Sequence, residues 1–109
     1  MLKEQPVRPV ELIKSIEYQT GAVVSKTLVK TKTGSITLFA FDREQELSEH
    51  TTPHHAFLNV LEGEAKITIA GNSHRLQAGQ AMELPAGVPH AVEAVDKFKM
   101  LLIMLKSSE

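Results

Sequence analysis

The sequence predicts an all-β fold, a single-domain antiparallel β-sandwich or barrel, and three observations carry that prediction. Short apolar alternations recur along the chain, they are rich in β-branched and aromatic residues, and Gly, Pro, Asn or Asp closes most of them. No long segment sustains the 3.6-residue apolar period of a helix. A chain of 109 residues is enough for one hydrophobic core and one domain.

Residues 1–20 are read as an N-terminal arm that pairs with the barrel or with a second subunit, because Pro6 and Pro9 exclude a regular element at its start. Within it, Glu11–Tyr18 (ELIKSIEY) satisfies either a helical turn or a strand, and is taken as strand because the rest of the chain is β. Residues 21–109 form the barrel domain. Val23–Val29 and Ser35–Phe41 read as strands around the turn at Lys32-Thr33-Gly34, followed by a polar connection at Asp42–Glu46. Phe57–Leu61 and Ala65–Ala70 flank a tight turn at Glu62-Gly63-Glu64, and Gly71-Asn72 turns the chain into His74–Leu76. Turns at Ala78-Gly79 and Pro85-Ala86-Gly87 bracket Ala81–Leu84. Ala91–Val95 and Phe98–Leu105 complete the set, and the run MLLIML in the last reads as a buried strand, too short to cross a bilayer.

Composition removes several function classes. Twelve basic against 13 acidic residues leave no concentrated basic field for nucleic acid. Lys26, Lys30 and Lys32 fall at even spacing and read as a solvated strand face. With no cysteine, disulfides, thiolate nucleophiles and thiolate metal sites are excluded. The opening MLKEQPVRPVELIKS lacks the apolar core of a signal peptide, so a cytoplasmic location with no membrane contact is expected. No serine sits in a nucleophile elbow and no glycine loop is built to cradle phosphate.

Histidines carry the chemical signal. In the extended segment after His50, Thr51, Thr52 and Pro53 rule out a helix, so His50, Thr52 and His54 share one side. Ala56, Leu58 and Val60 continue that side and mark it as the interior, while His55, Phe57 and Asn59 face away. A turn at Pro53 shifts this parity by one if it forms, which leaves His54 and His55 as interchangeable candidates. Beyond the bend at Pro85-Ala86-Gly87, His90 shares an interior face with Val92 and Ala94. Three imidazoles on one wall can hold a divalent ion with positions left open. His74 reads as an exposed hairpin residue, Met82, Met100 and Met104 as core filling, and Glu46 as a weak candidate base on the interior parity of His50.

These two segments, EQELSEHTTPHHAFLNVLEG (44–63) and GQAMELPAGVPHAVEA (79–94), resemble the two motifs of the cupin superfamily in its small single-domain form. His50 and Gly63 match the first motif in register, whereas Glu44 stands at its first glycine, Thr52 at its second histidine and Ala56 at its glutamate. Gly79, Pro85, Gly87 and His90 match the second motif, and Ala94 replaces its asparagine. The resemblance spans about Ser35–Leu105 and implies a barrel that usually dimerises, here through strand edges and the N-terminal arm. It leaves His50 and His90 as retained ligands, with His54 or His55 as the third, for a divalent metal (Zn, Fe, Ni, Mn or Cu). The expected pocket is lined by Met82, Leu84, Leu58, Val60 and Phe39 or Leu38, with the histidines at one end. Two functions follow from these residues: metal-assisted chemistry on a small oxygen-bearing organic molecule, or a metal-free barrel that binds or senses a small organic ligand.

Overall fold

The computed structural model describes residues 7–106; the remaining parts of the expected arm (1–6) and of the barrel domain (107–109) lie outside them. Nine strands pair antiparallel throughout, in two sheets. The five-stranded sheet has the order β1 (Val23–Lys30), β2 (Gly34–Phe41), β9 (Phe98–Leu105), β4 (His55–Glu62), β7 (Ala81–Leu84). The four-stranded sheet has the order β3 (Glu46–His50), β8 (His90–Ala94), β5 (Glu64–Ile69), β6 (Asn72–Gln77). This is the all-β sandwich expected from the spacing of the turns.

Period-two alternation builds the core between the sheets. Ala56, Leu58 and Val60 of β4 point inward, as do Phe98 and Met100 of β9, Ala65 and Ile67 of β5 and Val92 of β8, all buried in one cluster. Phe41 stacks on Phe98 with ring centroids 4.5 Å apart. Three of the connections that change sheet, β4 to β5, β6 to β7 and β7 to β8, turn at a glycine with positive φ. Gly63 connects β4 of one sheet to β5 of the other, at φ 81°. A side chain there would collide with the Lys97 carbonyl and with Phe98, so only glycine lets β9 pass this close. The one tight two-residue turn in this region is Ala70-Gly71, both at positive φ, which joins β5 to β6 with Ile69 opposite Asn72.

Two local expectations need correction. Glu11–Tyr18 is not a strand: Leu12–Ser15 is a single 3₁₀ turn, with the Lys14 amide donating to the Glu11 carbonyl and the Ser15 hydroxyl to the same oxygen. The segment lies across the outer face of the larger sheet, where Ile16 packs on Leu38 and Ala40, and no strand edge is there to give it a ladder. Its backbone is satisfied instead by the 3₁₀ turn itself and by lysines of the sheet, Lys99 donating to the Ile13 carbonyl and Lys26 to the Ser15 carbonyl. The second correction is β3: Glu46 is expected in the polar connection and no strand is expected over residues 47–50. Four of its five residues are exposed, since it is an edge strand, and Leu47 alone supplies an apolar signal.

A polar clasp holds the N-terminal segment down. Lys99, 7 % exposed on the outer face of β9, donates to the Ile13 carbonyl and lies 3.9 Å from Glu62 Oε2. The Tyr18 hydroxyl donates to the same Glu62 oxygen at 2.7 Å, and both Lys97 and Lys99 reach to 5.0 Å from the Tyr18 ring centre. Burial first, and Glu62 second, hold the Tyr18 phenol well above its ordinary pKa. Among the described residues no helix is long and apolar enough to cross a membrane.

Candidate functional site

His50 and His90 stand directly opposite each other in the β3–β8 ladder. Their pairing depends on a bulge. Leu47 pairs with Val92 and His50 with His90, so β3 spends three residues where β8 spends two, the surplus lying at Ser48-Glu49. Leu47 packs on the core, and strict alternation from it would turn His50 outward. The extra residue restores His50 to the inner face. By the same bulge Glu46 falls on the outer face, exposed and opposite Glu93, which removes it as an interior base.

The two imidazoles meet edge to face, with ring centres 4.4 Å apart and planes at 65°. Each ring is anchored in the same way, to the carbonyl two residues before it. His50 Nδ1 lies 2.7 Å from the Ser48 carbonyl and His90 Nδ1 3.1 Å from the Val88 carbonyl. A carbonyl only accepts, so Nδ1 donates in both rings, and in the neutral form of each ring Nε2 is the lone pair. His90 is 4 % exposed, while His50 is open to solvent at the rim. The result is a half-buried pair of acceptors with fixed tautomers.

The flanking loops are braced against each other. The Gly87 amide donates to the Thr52 carbonyl at 2.8 Å, and the His54 amide to Thr52 Oγ1 at 3.2 Å. Thr52 thus ties the loop after β3 to the loop before β8, with Gly87 at φ 74° allowing the approach. His54 is half-buried, and its Nδ1 is closed off from solvent with no hydrogen-bond partner. Leaving such a nitrogen unpaired costs about 1–3 kcal/mol. His55 goes the other way. It is exposed, its Nδ1 accepts from the Ala86 amide at 3.3 Å, and Glu83 Oε2 lies 3.6 Å from the same nitrogen. An amide hydrogen is fixed, so Nδ1 is the acceptor there and the glutamate contact is a weak rim interaction between two exposed groups.

The four candidate metal ligands therefore divide. His50 and His90 are brought together, His54 has an unused buried nitrogen, and His55 faces outward. Imidazole is the right donor type for a divalent ion, but among the described residues no group of three His, Asp or Glu side chains is spaced to hold one. The donor set does not fit a three-ligand centre as it stands. Of the expected pocket residues, Leu58, Val60 and Leu84 are buried in the core, with Met82 and Phe39 half-buried against it. Leu38 lies on the opposite face of its strand, under Ile16, and is no pocket residue. His74 is exposed, opposite Ile67. What the residue pattern did not reveal is the bracing: the Ser48 and Val88 carbonyls leave no trace in side-chain chemistry, and Thr52 reads only as a missing histidine.

Glu44 adds a backbone signature. It occupies the motif's first glycine position and keeps the left-handed conformation, at φ 68°.

The family model for the Cupin domain matches residues 37–105, which include the whole of both histidine segments. A conserved protein of unknown function from Streptococcus pyogenes superposes with a TM-score of 0.90 at 34% identity, over 96% of this chain and 92% of its own. A cupin superfamily protein from Desulfitobacterium hafniense gives 0.89 at 31% identity, over 98% and 99%. A Cupin 2 conserved barrel domain protein from Leptotrichia buccalis gives 0.83 at 39%, covering 86% of this chain, which spans only 46% of that protein. No curated protein matches the chain significantly. With the fold, both motif registers and these likenesses in agreement, the chain belongs to the cupin superfamily as a small single-domain member.

Proposed function

We propose that this cupin binds a small organic molecule at the β3–β8 end of the barrel, with His50 and His90 receiving it. One observation carries the reading: two adjacent imidazoles whose Nδ1–H groups are committed to backbone carbonyls, so that both Nε2 lone pairs are free. Such a pair accepts hydrogen bonds from hydroxyl or amine groups. A small hydroxyl-bearing molecule fits that description.

A second reading is supported by the orphaned His54 Nδ1. In it, His50, His90 and His54 close on a divalent ion (Zn, Fe, Ni, Mn or Cu), which would supply Lewis-acid chemistry to an oxygen-bearing substrate. The loop carrying His54 would have to move for this.

Native mass spectrometry and elemental analysis of protein purified without chelators separate the two. The organic reading expects a co-purifying small molecule, lost in His50→Ala and His90→Ala and kept in His54→Ala and His74→Ala. One divalent ion per chain, lost in all three of His50→Ala, His90→Ala and His54→Ala, would replace it with the metal reading.

A further inference from the structure

Each sheet presents one row of inward side chains at the histidine end of the barrel. On the smaller sheet the row is His50, His90, Ile69 and Asn72, successive partners across β3, β8, β5 and β6. On the larger sheet it is Lys30, Ser35, Met104, Ala56 and Leu84, across β1, β2, β9, β4 and β7. Ser35 has the parity of Phe39 and Phe41, which pack in the core, so it points inward with them. Lys30 joins this row through a bulge. Lys26 pairs with Leu38 on the outer face, and even spacing would put Lys30 there too. The register shift between Thr27 and Val29 turns Lys30 to the inner side instead, opposite Ser35.

Both rows are polar over one half and apolar over the other, and the polar halves face each other. β6 packs against β4, so β3, at the opposite edge of its sheet, lies over β2 and β1. The Ala86 amide on His55 and the Gly87 amide on the Thr52 carbonyl fasten the loop before β8 to β4 and to the loop that precedes it. Both rows therefore lie at one end. One step further in, Thr27 and Thr37 repeat the pattern beside Leu102, Leu58 and Met82. Two imidazole acceptors thus confront the half-buried Ser35 and Thr37 and the exposed Lys30, the one full charge in either row. A lone lysine beside hydroxyls, with no arginine fork, matches a single negative charge. Packed sheets lie about 10 Å apart, so once the side chains are allowed for a few carbons span the gap. We infer that the ligand is a small hydroxy acid, its carboxylate held by Lys30 and Ser35 and its hydroxyl donating to His50 or His90. The inference rests on the histidine pair as receptor and adds the anionic end.

Nuclear magnetic resonance titration of the labelled full chain tests it, at a pH where the imidazoles are uncharged. The probes are β-hydroxybutyrate, its uncharged amide, and butyrate. β-Hydroxybutyrate is expected to bind about tenfold more tightly than its amide, the size of one charge-assisted contact, and to shift both histidines. Butyrate, which has no hydroxyl, is expected to leave the Nε2 signals unmoved. Lys30→Met is expected to bring the acid down to the affinity of the amide and to leave the amide unchanged, and Lys30→Arg to keep most of the preference. Lys66→Met removes the same charge from the outer face of the smaller sheet, opposite Glu93 and Arg75, and is expected to change neither. His50→Ala is expected to weaken acid and amide alike. A wild type without preference for the acid, or a preference that survives Lys30→Met, overturns the carboxylate assignment and leaves the histidine receptor standing. If neither acid nor amide moves either histidine, the receptor reading fails and this inference fails with it.

Discussion

Replacing Gly63 with alanine isolates what the corner between the sheets costs. Gly63 sits at φ 81°, and left-handed backbone costs a non-glycine residue roughly 1–2 kcal/mol. The methyl would also meet the Lys97 carbonyl and the Phe98 Cα and Cβ, the latter two at 2.7 Å. These atoms cannot swing aside. Phe98 is fully buried and stacked on Phe41, so moving it disturbs the centre of the core. Overpacking of this kind adds about 1–3 kcal/mol, for a total of about 2–5 kcal/mol out of the roughly 5–15 that a domain possesses. Gly71 is the control. It has φ 84° but nothing within 4 Å of an added Cβ, so Gly71→Ala should cost only the backbone share, about 1 kcal/mol. Urea unfolding followed by circular dichroism reads both, with unchanged slopes and displaced midpoints. Equal losses in the two variants would refute the claim that β9 is pressed against this corner.

Three further expectations follow from named contacts. Tyr18 is the only tyrosine and the chain has no tryptophan, so near-ultraviolet tyrosinate absorbance reports that one hydroxyl. Its folded pKa is raised, so the clasp's contribution is fully present below the ordinary phenol range and is lost as pH climbs through the folded value. Absorbance should therefore stay flat through the range where free tyrosine ionises and rise with detachment of residues 12–18, detected by proteolysis; ionisation at the free-tyrosine pH counts against the clasp. Glu44→Gly relieves a left-handed glutamate and should stabilise the protein by up to about 1 kcal/mol in the same urea assay, whereas a loss would show the side chain to be needed. Leu58→Ala hollows the fully buried centre of β4 and should cost about 2–5 kcal/mol, with a loss below that range marking a core that collapses around the gap.

Most of the barrel was legible because turn chemistry and period-two alternation are local signals. The inward set Ala56, Leu58, Val60 follows from them directly, while the partnership of His50 with His90 was legible through the register of the two motifs. Illegible parts depended on non-local geometry. Nothing in Ser48-Glu49 announces a bulge, yet the bulge decides that Glu46 faces out while Leu47 and His50 face in. Likewise ELIKSIEY fits a strand until the larger sheet offers it a face instead of an edge. The choice between His54 and His55 turned on which side of the rim each ring took, an outcome set by Thr52 and Gly87 bracing the loops.

The central claim is that His50 and His90 form one receptor with both Nε2 lone pairs free. Long-range proton–nitrogen correlation spectra of labelled protein, assigned through His50→Ala and His90→Ala, read the tautomer of each ring directly. At a pH where the imidazoles are uncharged, both rings should carry their hydrogen on Nδ1, and both Nε2 resonances should shift together when a ligand binds. An Nε2–H tautomer in either ring, or a bound ligand that leaves both Nε2 signals unmoved, would contradict the account.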